Sequence, residues 1–270
     1  MMLTESLLQL DKKKIMNKYK MSRLGCLLAL ISIVAISCEK DEDTPLNFAS
    51  FAVIHASPVA ATNPSDTLNV FVDNVLYLNT GVLYLSNSGY LPVLAGDRTV
   101  DLRRGKLATS SLYVPGISNN FASGSATSFF VYDTTTSASG TARVLKLKDD
   151  LTLPVNTNSK VRFLHLAPNG APLDVVLLRT SVMPNDSIVL SGRSYVGNLP
   201  NETTLAQFTE IPKGVYTVKL KLAGTQTLAT ANTSVDMSRG ASVAEGGIFT
   251  LYATGTAKNR PLVLRTFRNF

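Results

Sequence analysis

The side chains that most often do chemistry in proteins are scarce in this sequence: two histidines, His55 and His165, and two cysteines, Cys26 and Cys38. The histidines occupy matching contexts 110 residues apart, Val53-Ile54-His55-Ala56-Ser57-Pro58 and Phe163-Leu164-His165-Leu166-Ala167-Pro168. Each shares the alternate-residue parity of apolar neighbours, Phe51 and Val53 in one case and Val161 and Phe163 in the other. On a strand such a ring points inward, and it is expected to bond a backbone group near the following Pro58 or Pro168 rather than to act as a base or ligand. Serines and threonines are plentiful, yet there is no Gly-x-Ser-x-Gly elbow and no visible triad. Asp73, Asp101, Asp174, Glu202, Glu210 and Glu245 could supply a glycosidase pair in number only, since most fall at expected strand ends or wet faces. Histidines so far apart, no Asp-rich calcium loop and no phosphate or dinucleotide loop leave no expected catalytic residue, metal or cofactor.

The cysteines belong to an address. A basic run at 17–23 precedes a 13-residue apolar run from Leu24 to Ile36, then Ser37 and Cys38. This is the layout of a signal peptide over residues 1–37, and the apolar run is short of the roughly 20 residues a spanning helix needs. Ala35-Ile36-Ser37-Cys38 resembles the lipobox of bacterial lipoproteins, in which cleavage before the cysteine exposes it for a diacylglyceryl group. Cys26 would leave with the signal peptide, so the two cysteines are not a disulfide pair. Met1, Met16 and Met21 are alternative starts. Glu39-Lys40-Asp41-Glu42-Asp43 makes residues 38–48 a charged tether, and it resembles the acidic export signal of surface-exposed lipoproteins of the Bacteroidota. The expected location is therefore the outer membrane, lipid-anchored and facing the medium.

Composition agrees with a folded exterior protein. The chain has 270 residues, 45% of them hydrophobic and 17% charged, which excludes disorder and allows one large or two ordinary domains. Its net charge of +7 divides into +4 within the first 37 residues and +3 thereafter. With the remaining cations scattered, no basic face is available for nucleic acid.

The part beyond the tether repeats itself. Besides the histidine segments, Leu68–Val72 matches Leu173–Leu177, Ala95–Leu102 matches Lys213–Leu220, and Phe129–Tyr132 matches Phe249–Tyr252, the last with an offset of 120. Two copies are expected, 49–150 and 160–270, joined by a polar linker from Pro154 to Ser159. Short runs rich in Val, Leu, Ile, Tyr, Phe and Thr, separated by Gly, Pro, Asn, Asp and Ser, are strand and turn chemistry. Between Gly214 and Leu222 the pattern alternates strictly, Tyr216, Val218, Leu220 and Leu222 inward, predicting one dry and one wet sheet face. About seven strands per copy predict an all-β chain of two tandem immunoglobulin-like or transthyretin-like sandwiches.

The His–Pro strand, Leu173-Asp174-Val175-Val176, the Pro212-Lys213-Gly214-Val215-Tyr216-Thr217-Val218 hairpin and Phe249-Thr250-Leu251-Tyr252-Ala253-Thr254-Gly255 together resemble the family named domain of unknown function 4397. That family occurs singly or in tandem in secreted and lipid-anchored bacterial proteins, and the resemblance implies an extracytoplasmic sandwich without implying an activity. The second copy carries it well; the first departs from it, with an insertion between Pro58 and Leu68 and an unusual loop over 103–128. Three tripeptides, Asp66-Thr67-Leu68, Asp133-Thr134-Thr135 and Asp186-Ser187-Ile188, resemble sites at which Bacteroidota glycosylate exported proteins, making Thr67, Thr134 and Ser187 candidates.

One further run, Arg103-Arg104-Gly105-Lys106, is either a solvated hairpin tip or a loop contacting acidic glycans or lipopolysaccharide phosphates. The sequence thus reads as a non-enzymatic binding, adhesion or structural module, held to the membrane by its lipid and offering a glycan or protein ligand site. An extracytoplasmic hydrolase acting on glycans and a subunit of a surface assembly with an open edge strand are the rival readings.

Overall fold

The computed structural model describes residues 47–58, 67–104, 111–133, 142–154, 158–180, 186–238, 246–255 and 260–270. The signal segment, Ser37, Cys38, the acidic tether up to residue 46, Lys106, Thr134 and Glu245 lie outside these.

In the first copy the strands are β1 (Phe48–His55), β2 (Thr67–Val72), β3 (Val75–Leu83), β4 (Leu91–Leu94), β5 (Gly96–Arg104), β6 (Ser111–Phe121), β7 (Ala126–Asp133) and β8 (Ala142–Asp149). The second repeats the series as β9 (Ser159–His165), β10 (Leu173–Arg179), β11 (Asp186–Arg193), β12 (Thr209–Ile211), β13 (Val215–Leu222), β14 (Thr233–Asp236), β15 (Ile248–Thr254) and β16 (Val263–Arg268). A single helical turn, α1 (Glu202–Leu205), precedes β12; Asn201 caps it by accepting the Thr204 N–H.

Each copy is a sandwich of two four-stranded sheets, ordered β4-β1-β7-β8 and β3-β2-β5-β6 in the first and β12-β9-β15-β16 and β11-β10-β13-β14 in the second. The first strand thus shares a sheet with the fourth, seventh and eighth, whereas an immunoglobulin domain puts its first strand beside the second. Among the described residues each copy has eight strands where seven were expected, because the stretch expected as an unusual loop holds, from Ser111 on, β6, eleven residues paired along β5, and the start of β7. Asp73 and Asn74, both at positive φ, form the two-residue turn between β2 and β3, a conformation that short Asx side chains tolerate.

Outer and inner sheets obey different burial rules. On β13 the expected alternation holds, with Tyr216, Val218 and Leu220 fully buried between less buried residues. On β7 and β15 every residue is buried, and β1 and β9 come close to that. These four strands form two parallel pairs, β1 with β7 and β9 with β15. One face of each pair packs into its own sandwich: Phe51, Val53, Phe129 and Val131 in the first copy, Val161, Phe163, Leu251 and Ala253 in the second. The opposite faces meet each other in a third core of Ala52, Ile54, Phe130, Tyr132, Leu145, Leu147, Leu164, Tyr252 and Phe267. Ser159, the last residue of the expected linker, already opens β9, and the sandwiches share an apolar interior four sheets deep. A strand buried on both faces needs a near-continuous apolar run, which Phe129-Phe130-Val131-Tyr132 supplies.

The ladders also correct the repeat alignment. His55 pairs with Val131 and His165 with Ala253, so the seventh strands superpose with an offset of 122 rather than 120. A slip of two residues leaves every side chain on the same face, so apolar periodicity could not detect it. Among the described residues no helix is long and apolar enough to cross a membrane.

Candidate functional site

The two histidines end β1 and β9 in the same local structure. The Nδ1 of His55 accepts the Ser57 N–H at 3.4 Å, and that of His165 accepts the Ala167 N–H at 3.3 Å. A tyrosine stands edge-on to each ring, Tyr84 at 5.7 Å and Tyr195 at 6.3 Å. With Nδ1 accepting, the proton of a neutral His165 ring resides on Nε2, which lies 3.0 Å from the Ala171 carbonyl. Burial lowers the His165 pKa, with the Ala171 bond opposing. Gly170 lets the chain close over this ring: a Cβ there would sit 2.7 Å from His165 Cε1. Pro58 and Pro168 are buried.

Ser57 and Asp133 accompany His55, and all three are fully buried. The Ser57 hydroxyl donates to Asp133, while His55 Nδ1 is taken up by a backbone N–H. A serine nucleophile must instead give its proton to the imidazole. The second copy keeps the histidine geometry with Ala167 in place of Ser57, so the serine is not what the ring requires.

Between the copies the apolar interior is interrupted by a polar cluster of side chains. Arg162 of β9 donates to Asp149 at the end of β8 at 2.6 Å, their side chains 2% and 0% exposed. The guanidinium also donates to Thr250 Oγ1 at 2.9 Å and Ser128 Oγ at 3.0 Å. Tyr90 donates to the other Asp149 oxygen at 2.6 Å and accepts from Asn269 at 2.9 Å. Ser128 bonds Asp149 and Thr250 bonds Asn269, and in the corrected alignment Ser128 corresponds to Thr250 and Asp149 to Asn269. Phe130 and Tyr252 are likewise equivalent and meet edge-on at 5.8 Å. The seam is thus built from like parts of both copies and made unequal by Arg162, where the first copy has Ala52. Burial pushes the Asp149 carboxyl up from its ordinary range against the pull of Arg162.

Beside this seam a cleft of about 980 Å³ opens between the two copies. Its walls are the β6–β7 turn (122–125), the end of β6 with Asn119 and Asn120, Lys146 and Lys148 of β8, the segment 150–152, and α1 with Gln207. Lys146 and Lys148 lie two apart on an edge strand and so project to one side. Three carboxylates reach the walls, and each has a protein partner. Asp149 is in the seam. Asp150 accepts Lys160 Nζ at 2.8 Å and the Thr152 N–H at 3.0 Å, and these bonds, the Lys160 one foremost, bring its pKa down to about 2. Glu202 accepts the Lys146 backbone N–H at 3.3 Å, so α1 covers part of the free edge of β8. A glycosidase pair would require one carboxyl free to protonate a leaving group and another open to water or the sugar.

The remaining sequence candidates are scattered. Arg103 lies on β5, its guanidinium 4.1 Å from the Phe71 ring centre and 3.7 Å from Asp101; Arg104 ends the same strand. Thr67 begins β2, half-buried against Gly81, and Ser187 is exposed on the edge strand β11. Asp73 accepts the Thr99 N–H and pairs with Arg98, and Asp174 accepts the N–H groups of Gly192 and Gly224, so both fasten turns. Among the described residues no group of three His, Cys, Asp or Glu could hold a metal ion. Sequence reasoning passed over Arg162, Tyr90 and Asn269, which carry no motif. It also passed over Tyr84 and Tyr195, whose 111-residue spacing nearly repeats that of the histidines.

The family model described as domain of unknown function (DUF4397) matches residues 49–176, which is the first copy together with β9 and most of β10. The match falls on the copy that the sequence shows as the more divergent. No curated protein matches the chain.

Proposed function

We propose that this chain is a non-enzymatic binding module of the cell envelope, anchored through a lipid on Cys38 and exposed on the outer face of the outer membrane. A double-acylated cysteine suffices for stable anchoring, and the acidic tether would hold the sandwiches clear of the bilayer. In this reading the second copy is a further domain of the same family. The observation that carries the binding role is the cleft between the copies, walled by hydroxyls, amides and lysines and framed by sheets locked together through a shared core. The engagement of His165 by the Ala171 carbonyl and Ala167 N–H, and of Asp73, Asp174 and Glu202 by backbone N–H groups, supports this reading.

Full-length protein and its Cys38→Ala variant, compared by membrane fractionation and by protease treatment of intact cells, test the address. The parent should be membrane-bound and clipped from outside while the variant is released. A variant that stays in the membrane would make 24–36 a spanning helix and overturn the reading. Substrate turnover lost on replacing His55 or His165 would overturn its non-enzymatic part.

A further inference from the structure

We infer that the cleft takes an acidic oligosaccharide, bound through Lys146, Lys148 and the Asn119 amide; this deepens the binding-module reading and rests on it. The volume of about 980 Å³ stands at the top of the roughly 300–1,000 Å³ range of small-molecule sites, room for several sugar rings. Its walls carry Ser, Thr, Asn and Gln with no aromatic side chain and one large aliphatic, Leu151. The walls lack the aromatic anchors that hot spots of peptide and protein partners favour, while their hydroxyls and amides can exchange water for the hydroxyls of a sugar chain.

The sign of the ligand follows from which groups are already engaged. Asp149, Asp150 and Glu202 accept from Arg162, Lys160 and the Lys146 backbone. The donors are in the opposite condition. Neither Lys146 nor Lys148 makes an ion pair with any described residue. On the facing strand β6, the Asn119 Nδ2 is shielded from solvent and has no hydrogen-bond partner among the described residues. A cleft whose carboxylates are engaged and whose two lysines make no ion pair with a described residue recognises carboxylate or sulfate substituents through charge-assisted bonds. Lys146 and Lys148, two residues apart on one strand face, sit roughly 6–7 Å apart along it, a spacing that lets one chain bridge both.

The test is titration calorimetry of the full-length protein in detergent with a galacturonate hexamer and with its methyl ester, which keeps the ring shape and loses the charge. The acid should bind and the ester bind at least roughly ten-fold more weakly, the worth of a charge-assisted bond or two. Lys146→Gln/Lys148→Gln should lose the preference for the acid, and Asn119→Ala should weaken acid binding further, with circular dichroism spectra and urea midpoints as the check that each variant folds. Equal binding of acid and ester, binding indifferent to the lysine pair, displacement by equimolar inorganic phosphate, or no binding at millimolar hexamer would each overturn the inference. Release of new reducing ends from bound hexamer would uphold the ligand class while overturning the non-enzymatic reading, so the two failures are separable.

Discussion

The seam and the cleft lie side by side, share Asp149, and draw on the same residue types: hydroxyls, carboxylates, amides and cations from both copies. In the seam each of these groups is answered by another side chain or a carbonyl. In the cleft the carboxylates are answered and the lysines are not. The difference teaches how to separate structural polarity from functional polarity in a chain without motifs. A buried charge that has its partners is explained by the cost of leaving it unpaired, whereas an open group with no protein partner is available to a ligand.

The comparison can be broken most sharply at Arg162. Arg162→Leu leaves the buried Asp149 without its cation and should cost roughly 3–5 kcal/mol in urea unfolding. Arg162→Leu combined with Asp149→Leu should recover most of that loss, because two apolar side chains suit the surrounding core. A double variant as unstable as the single one would mean that Arg162 acts through packing on Phe208 and Phe130 rather than through the pair.

A smaller effect is expected at Tyr90, whose hydroxyl joins Asp149 to Asn269. Tyr90→Phe should cost about 1–3 kcal/mol by the same measurement, the penalty for stranding buried polar partners. The titration of His165 supplies the next test. Its buried ring resists protonation while the unfolded ring takes up a proton below its ordinary 6.5. The resulting contribution to stability is fully present above pH 6.5 and declines as the pH falls from there. His165→Gln should flatten urea midpoints between pH 6.5 and 5 relative to the parent. At the cleft the expectation reverses: Lys146→Gln/Lys148→Gln should move stability by no more than about 0.5 kcal/mol, since neither ammonium holds the fold. A large loss there would erase the distinction between the two regions.

Much of the architecture was legible in advance because it rests on local chemistry. The alternation on β13 and the repeated His–Pro strands each state their structure within a few residues. The eighth strand was hidden because β6 runs through Pro115, Gly116 and two asparagines, a composition that reads as turn. The candidate site was largely illegible. Arg162 looks like any strand arginine until β8 of the other copy is laid against it, and Lys146 and Lys148 look like ordinary edge-strand lysines until α1 and β6 close a cleft around them.

By itself the sequence determined the all-β character and the inward placement of His55 and His165, because each depends on residue type and short-range periodicity. Tertiary structure alone decided that the copies fuse through their inner sheets, that the seventh strands align two residues further on, and that the carboxylates are spent on protein partners while two lysines are not. These depend on which distant surfaces meet, and burial of a strand's second face is a property of its neighbour rather than of the strand.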